Sequence, residues 1–87
     1  MKSITLELLT SPGCVHCHEF LKYWSDEAKH WPNVKFTEIS IITPEGQALV
    51  GKHQIFASPG IIMNDELFDS GGFNKSELTE KLKQLSI

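Results

Sequence analysis

The sequence predicts an α/β fold, with a four-stranded mixed sheet flanked by three helices in the order β-α-β-α-β-β-α. Short β-type apolar runs alternate with stretches in which apolar residues recur every three or four positions. A strand, helix and strand at the start imply a parallel pair with a right-handed crossover. Two closely spaced runs near the end predict an antiparallel hairpin. With 87 residues, we expect a single domain over residues 1–87.

The first half of the chain predicts a strand, a long helix and a second strand. Residues 4–9 are apolar up to the Ser-Pro-Gly at 11–13, which is typical of a strand buried on both faces. A helical stripe follows and ends at Pro32. Its members are Cys17, Phe20, Leu21, Trp24, Ala28 and Trp31. Residues 34–42 form the second β-type run.

The second half predicts a short helix, a hairpin and a last helix. Thr43-Pro44-Glu45 has the form of an N-cap followed by proline and an acid in the first turn. Runs at 61–63 and 66–69 flank Asn64-Asp65, which suits a tight turn. Asn74-Lys75-Ser76-Glu77 has capping-box form and opens the last helix. One face of that helix carries Leu78, Leu82 and Leu85.

Composition and charge exclude several classes of protein. Eight basic residues against eleven acidic ones give a net charge of −3, so we expect neither nucleic acid nor an anionic membrane as a partner. No apolar run approaches the roughly 20 residues of a membrane helix, and Glu7 interrupts the stretch where a signal peptide would be apolar. We therefore expect a cytoplasmic protein, and a monomer because no apolar surface patch is evident. Two cysteines are too few for a disulfide-scaffolded mini-protein.

The segment Cys14-Val15-His16-Cys17 lies where the first strand gives way to the first helix. Free backbone N–H groups and the helix dipole at a helix N-terminus stabilise a thiolate, which favours Cys14 as a nucleophile. Cys17 lies one turn further on and is expected to face inward. This asymmetry suits a two-step exchange in which Cys14 attacks a disulfide and Cys17 resolves the mixed disulfide.

Three segments carry a resemblance to a known family. They are Cys14-Val15-His16-Cys17 after the first strand, Ser58-Pro59 before the third, and Gly71-Gly72 after the fourth. The chain resembles the thioredoxin superfamily and, within it, the small glutaredoxin-like proteins of minimal fold. The resemblance implies a thiol–disulfide oxidoreductase with Cys14 as nucleophile and Cys17 as resolving thiol. It also implies that Pro59 is cis and lies beside the dithiol, and that Ser58, Pro59, Gly71 and Gly72 form the substrate surface.

The residue before the second cysteine is His16. An imidazole there stabilises the Cys14 thiolate, and stabilising the reduced form raises the reduction potential. Protein disulfide isomerases, which are oxidising members of the family, also have histidine at this position. We expect His16 to make the dithiol more oxidising than that of a typical thioredoxin.

The resemblance implies no metal or organic cofactor. Its implied partners are client protein disulfides, with a thioredoxin-type reductase or glutathione as electron donor. Ser11 and Lys75 stand where glutaredoxins usually carry a basic residue and an aspartate that hold glutathione, so glutathione-dependent activity is the alternative. Leu8 stands where thioredoxins carry a buried aspartate that assists proton transfer, and the neighbouring Glu7 is a candidate for that role.

Other interpretations of the motif compete with redox exchange. Cys14 to His18 also spells the C-x-x-C-H haem-attachment motif, with Met63 as a possible second axial ligand. Zinc binding is possible through Cys14, Cys17 and His18, joined by His30 or His53. A docking domain without turnover is a third class, although it would need neither cysteine.

The remaining aromatic residues and histidines have simpler expected roles. We expect the aromatic side chains to pack in the core or at its edge, namely Phe20, Trp24, Trp31, Phe36 and Phe56. Phe56 and Phe73 are also candidates to flank a substrate groove. His30 and His53 are expected at the surface near helix ends, where the dipole favours a cation.

Overall fold

A computed structural model describes residues 1–87 and has the predicted element order. The elements are β1 (Ile4–Thr10), α1 (Val15–Glu27), β2 (Val34–Ser40), α2 (Pro44–His53), β3 (Gly60–Met63), β4 (Glu66–Ser70) and α3 (Lys75–Ser86). The sheet order is β2-β1-β3-β4. β1 pairs with β2 in parallel and with β3 antiparallel, and β3 pairs antiparallel with β4. The four-stranded mixed sheet with three helices is confirmed.

The sheet divides the apolar core into two unequal parts. The larger part lies between the sheet and the helices α1 and α3, and its buried members are Ile4, Leu6, Leu8, Phe20, Trp24, Ile61, Met63, Leu78 and Leu82. The smaller part, Leu9, Ile55 and Ile62, is covered by Leu49 and Val50 of α2. Helices therefore cover both faces, as predicted. None of the helices combines the length and apolar character needed to cross a bilayer.

Two element boundaries and the burial of one strand differ from the predictions. The α-helix of α1 ends at Glu27, and the chain continues as a 3₁₀ turn over Ala28–His30 before Pro32. β2 ends at Ser40, two residues before the predicted end. β1 is buried on both faces only at its carboxyl end, because Thr5 is exposed and Glu7 is half-buried.

The predicted local signals for turns and caps are confirmed. The Thr43 hydroxyl accepts from the Gly46 N–H at 3.0 Å, and the Asn74 carboxamide oxygen accepts from the Glu77 N–H at 3.0 Å. Each side chain satisfies an amide that the helix itself leaves free. Asn64 and Asp65 both have positive φ, 49° and 67°, which is the geometry of a primed hairpin turn.

Candidate active site

Cys14 lies at the N-cap of α1, four residues after β1 ends. The turn that carries it there contains Gly13 at φ +73°, a conformation that favours glycine, and is closed by the Cys14 N–H donating to the Ser11 carbonyl at 3.3 Å. The Sγ atom of Cys14 accepts a hydrogen bond from the Cys17 N–H at 3.1 Å. The sulfur of Cys14 thus occupies the position of a capping oxygen, where helix amides favour negative charge.

The two cysteines form a disulfide in this structure, with their Cα atoms 5.2 Å apart. Their exposure differs in the sense that the sequence predicted. Cys17 is 3% exposed and faces the core between α1 and the sheet, whereas Cys14 is half-buried at the surface. A substrate sulfur arriving from solvent therefore meets Cys14 first.

The Ser58-Pro59 segment and the loop before Cys14 are directly joined. The peptide bond between Ser58 and Pro59 is cis, as expected. The Ser58 hydroxyl lies 2.6 Å from the Ser11 hydroxyl, so the two loops meet at the carboxyl end of β1. Pro59 is fully buried, and its carbonyl accepts from the Gly71 N–H at 2.9 Å.

Gly71 brings the third predicted segment to the same place. Its φ is +83°, and a Cβ atom added there would lie 3.3 Å from the Cβ of Ala57. Gly71 therefore turns the chain after β4 while staying in close contact with the residue before Ser58. Of the sequence-predicted site, Cys14, Ser58, Pro59 and Gly71 lie on three connected loops at one end of the sheet, Cys17 lies in the first turn of α1, and Gly72 is next in the chain after Gly71.

An apolar cleft beside Ser58 was not predicted from the sequence. It has a volume of about 300 Å³ and lies between α2, the end of β2 and the segment before β3. Its lining consists of Ile41, Val50, Ile55, Phe56, Ala57, Ser58 and Gly60. Phe56 is 92% exposed, so the prediction that it packs in the core or at its edge is wrong. Ile55, its neighbour, takes the buried position instead.

Phe73 packs against α1 and lines a separate cleft there with Glu19, Lys22 and Tyr23, so it is not part of the apolar cleft beside Ser58. The centroid of its ring lies 4.9 Å from the centroid of the Phe20 ring and 5.7 Å from that of the Tyr23 ring. The other predicted core aromatics, Phe20, Trp24, Trp31 and Phe36, lie in the larger core cluster or pack against it. Only Phe56 among these residues presents a free aromatic face beside the site.

His16 is exposed in the first turn of α1. Its Nδ1 atom lies 3.5 Å from the Oε2 atom of Glu19, with 60% and 58% of the two side chains exposed. No hydrogen bond joins the imidazole to either cysteine. Any influence of His16 on Cys14 therefore acts through space at the helix N-terminus, in competition with the Glu19 carboxylate.

The structure contradicts the hypothesis that Glu7 assists proton transfer at the dithiol. Leu8 is fully buried in the core beneath α1, and successive residues of a strand point to opposite faces. Glu7 accordingly lies on the other face, where it lines a polar cleft with Thr5, Lys35, Thr37 and Asp65. The sheet separates the Glu7 carboxylate from Cys17.

His53 is less accessible than the sequence suggested. It lies at the end of α2 as expected, but its side chain is only 8% exposed and its Nε2 atom lies 3.9 Å from the Asp65 carboxylate. The surface position predicted for His53 is therefore wrong. No cluster of three or more His, Cys, Asp and Glu side chains is arranged to hold a metal ion.

Comparisons with known proteins agree with this fold. No protein-family model matches the chain. The chain is 28% identical over 85 residues to a thioredoxin of Methanocaldococcus jannaschii, an alignment that covers 97% of this chain and 98% of the relative. It superposes on Fasciola hepatica thioredoxin with a TM-score of 0.74 at 18% identity, covering 94% of this chain and 80% of that one. It superposes on oxidised mitochondrial thioredoxin 3 of Saccharomyces cerevisiae with a TM-score of 0.76 at 16% identity, covering 98% of this chain and 81% of that one.

The paired cysteines and the fold that presents them define the class of this protein, which is a thiol–disulfide oxidoreductase. Structural likeness at these identities establishes the fold, and the relative from M. jannaschii extends the likeness over nearly the whole of both sequences. The likeness is to thioredoxins, as the motifs of the chain predicted.

Proposed function

We propose that this protein reduces or exchanges disulfides in client proteins, with Cys14 as the nucleophile and Cys17 as the resolving thiol. The observation that carries the proposal is the unequal placement of the two sulfurs. One is half-buried at a helix N-terminus, and the other is 3% exposed one turn further on. Only the first is open to a bulky disulfide, and the second is within bonding reach of the first.

The exchange balances in two steps. The Cys14 thiolate attacks one sulfur of the client disulfide, forming a mixed disulfide and releasing the other client sulfur as a thiolate that takes up a proton. Cys17 then loses its proton and attacks the Sγ atom of Cys14. The second client sulfur leaves as a thiolate, and Cys14–Cys17 is oxidised while the client gains two electrons.

The backbone beside the site supports an extended protein segment as the substrate. Neither the N–H nor the C=O of Ser58 is hydrogen-bonded within the chain, although the residue is half-buried. Free backbone groups next to a site are the means by which an extended segment pairs with a protein edge. We propose that the client segment pairs with Ser58 and passes along Gly71 and Gly72.

The apolar cleft supports clients with an apolar side chain close to the reactive cysteine. Phe56 and the cleft walls adjoin Ser58 directly, so a segment paired with Ser58 would place a neighbouring side chain there. We expect Phe56→Ser to raise KM for reduction of insulin several-fold while leaving the reaction with a small aliphatic disulfide unchanged. Ile87→Ser is the matched control, because Ile87 is 85% exposed and lies beyond α3.

We propose a thioredoxin-type reductase as electron donor and a monomer in the cytoplasm as the working form. Two contacts support this donor over glutathione. The Ser11 hydroxyl is already engaged with Ser58, and the Lys75 ammonium lies over the Tyr23 ring, 5.6 Å from its centroid. Neither side chain stands free to hold a glutathione end group. Turnover supported by glutathione and glutathione reductase alone would favour the glutaredoxin alternative.

An insulin-reduction assay tests the proposed function. With dithiothreitol, or with NADPH and a thioredoxin reductase, we expect the wild-type protein to accelerate precipitation of the insulin B chain. Cys14→Ser should abolish turnover, and Cys17→Ser should accumulate a mixed disulfide detectable by mass spectrometry. Absence of turnover with every donor would favour a docking domain, and a Soret band in the purified protein would favour haem attachment.

A further inference from the structure

Two serines continue the register of β1 and β3 beyond the point where the ladder ends. The last pair of the ladder is Leu9 with Gly60. The same antiparallel register, carried on by two residues, sets Ser11 opposite Ser58. No backbone hydrogen bond joins the two chains there. They are joined through their side chains instead, with the two hydroxyl oxygens 2.6 Å apart.

This contact is the only hydrogen bond between the loop that carries Cys14 and the segment before β3. The Cys14 N–H donates to the Ser11 carbonyl, which lies within its own loop. The Pro59 carbonyl accepts from the Gly71 N–H, which lies on the β4 side of β3 and therefore away from β1. The link between the two hydroxyls thus fixes one loop against the other.

Two hydrogen bonds in series connect the client-pairing edge with the nucleophile. The first joins the hydroxyls of Ser58 and Ser11, and the second joins the Ser11 carbonyl to the Cys14 N–H. Both serines are half-buried, so water competes less for their bond than it would at an open surface. A client segment paired with the free backbone groups of Ser58 is thereby held at a set position relative to Cys14.

Extended segments and small disulfides depend on this link to different degrees. A small disulfide reaches the half-buried Cys14 from solvent and does not need to pair with Ser58. A client segment paired with Ser58 has its sulfur placed by that pairing, and productive attack requires reacting atoms about 3–3.5 Å apart. A shift of the Ser58 edge relative to Cys14 therefore slows the reaction of the extended client alone.

We propose that Ser11 is a positioning residue that holds the client-pairing edge at Ser58 in register with Cys14, and that it thereby favours extended protein segments over small disulfides. This inference rests on the proposed function, in which a client pairs with Ser58. Ser11 acts through Ser58 and touches no reacting atom. The transfer of electrons between the sulfurs proceeds as described above.

Ser11→Ala removes the link at the cost of a single oxygen atom. We expect kcat/KM for insulin reduction to fall about fivefold, which is the factor that the net contribution of one neutral hydrogen bond corresponds to. The rate at which Cys14 first reacts with Ellman's reagent, a small disulfide, should keep its wild-type value. Ser11→Thr retains the hydroxyl and should restore most of the lost kcat/KM. Ser3→Ala is the matched control, because Ser3 is exposed at the other end of β1.

A double-mutant cycle shows whether the effect passes through the link. Ser58→Ala removes the other hydroxyl and should also cost about fivefold, and the double variant should lose no more than either single variant. Urea midpoints show whether each variant is folded, and Ser58→Ala carries the same test if Ser11→Ala does not fold.

Three results would overturn the proposal. They are a wild-type kcat/KM for insulin in Ser11→Ala, losses that multiply in the double variant, and equal slowing of Ser11→Ala with Ellman's reagent. A wild-type protein that reacts with Ellman's reagent but does not reduce insulin would instead refute the proposed function.

Discussion

The two glycines of α2 provide a matched test of how this helix is seated. Gly46 is buried, and a Cβ atom there would collide with the Ser40 carbonyl oxygen and lie 2.8 Å from the Ser40 carbonyl carbon and 2.9 Å from the Ile41 Cα. All three are backbone atoms, which cannot rotate out of the way. A Cβ atom on Gly51, five residues later in the same helix, would meet nothing within 4 Å.

The expected changes in the free energy of unfolding on substitution by alanine have opposite signs at the two positions. Replacing a helical glycine by alanine stabilises a protein by about 0.5–1 kcal/mol when the space is free, so Gly51→Ala should be more stable by that amount. At Gly46 the same gain is outweighed by overpacking, which costs about 3 kcal/mol when backbone must move. We therefore expect Gly46→Ala to lose about 2 kcal/mol, or about 10 °C in Tm for a domain of this size.

Urea unfolding of the oxidised proteins, followed by far-ultraviolet circular dichroism, measures both changes. The two variants have identical composition, so a difference between them reports position alone. If Gly46→Ala is as stable as wild type, or if both variants shift in the same direction, the close approach of α2 to the end of β2 is wrong.

Three further predictions concern titratable groups. We expect His16→Pro to lower the reduction potential of the dithiol by about 30 mV, a tenfold change in its equilibrium with glutathione, and an unchanged redox titration would remove the tuning role of His16. Burial is the main cause that raises the pKa of Tyr23 above 10.0, while a hydrogen bond with Thr79 lowers it. Absorbance titration of this sole tyrosine should show a raised midpoint, which rises further in Thr79→Val. Because the pKa is higher in the folded state, the free energy of unfolding should fall as the pH increases from 10.0 through the folded value. The hydrogen bond from Lys52 is the main cause that lowers the pKa of Asp65 below 3.8, so its contribution to stability is present above that pH and lost as the pH falls through the folded value. Lys52→Met should reduce the acid-side slope of stability against pH, and an unchanged slope would contradict the pairing.

Much of the fold was predictable because its signals are local. Caps such as Thr43 and Asn74 and the turn at Asn64-Asp65 depend on residues within one or two turns of the chain. The Cys-x-x-Cys pair was equally evident, since its chemistry depends on three residues of spacing and on a helix start. The end of α1 was less predictable because the apolar stripe continues to Trp31 while the backbone tightens into a 3₁₀ turn.

Features that depend on strand register or loop path were missed. An acid on β1 was identifiable as a candidate, but which face Glu7 occupies depends on the packing of the whole strand. The pairing of Leu8 with Glu38 joins residues 30 positions apart, and no local pattern encodes it. Phe56 was expected inside because it is aromatic. Gln54 takes a left-handed conformation at the end of α2, Ile55 takes the buried position, and Phe56 is left facing solvent.

Because the paired cysteines are only three residues apart, the disulfide between them contributes little to the stability of the fold. A crosslink stabilises a fold mainly by restricting the unfolded chain, and the restriction grows with the length of chain enclosed. Here only Val15 and His16 lie between the bonded residues, so opening the ring frees little of the polypeptide. The architecture is held by its two apolar layers instead. We therefore expect the protein to stay folded in both the oxidised and the reduced state.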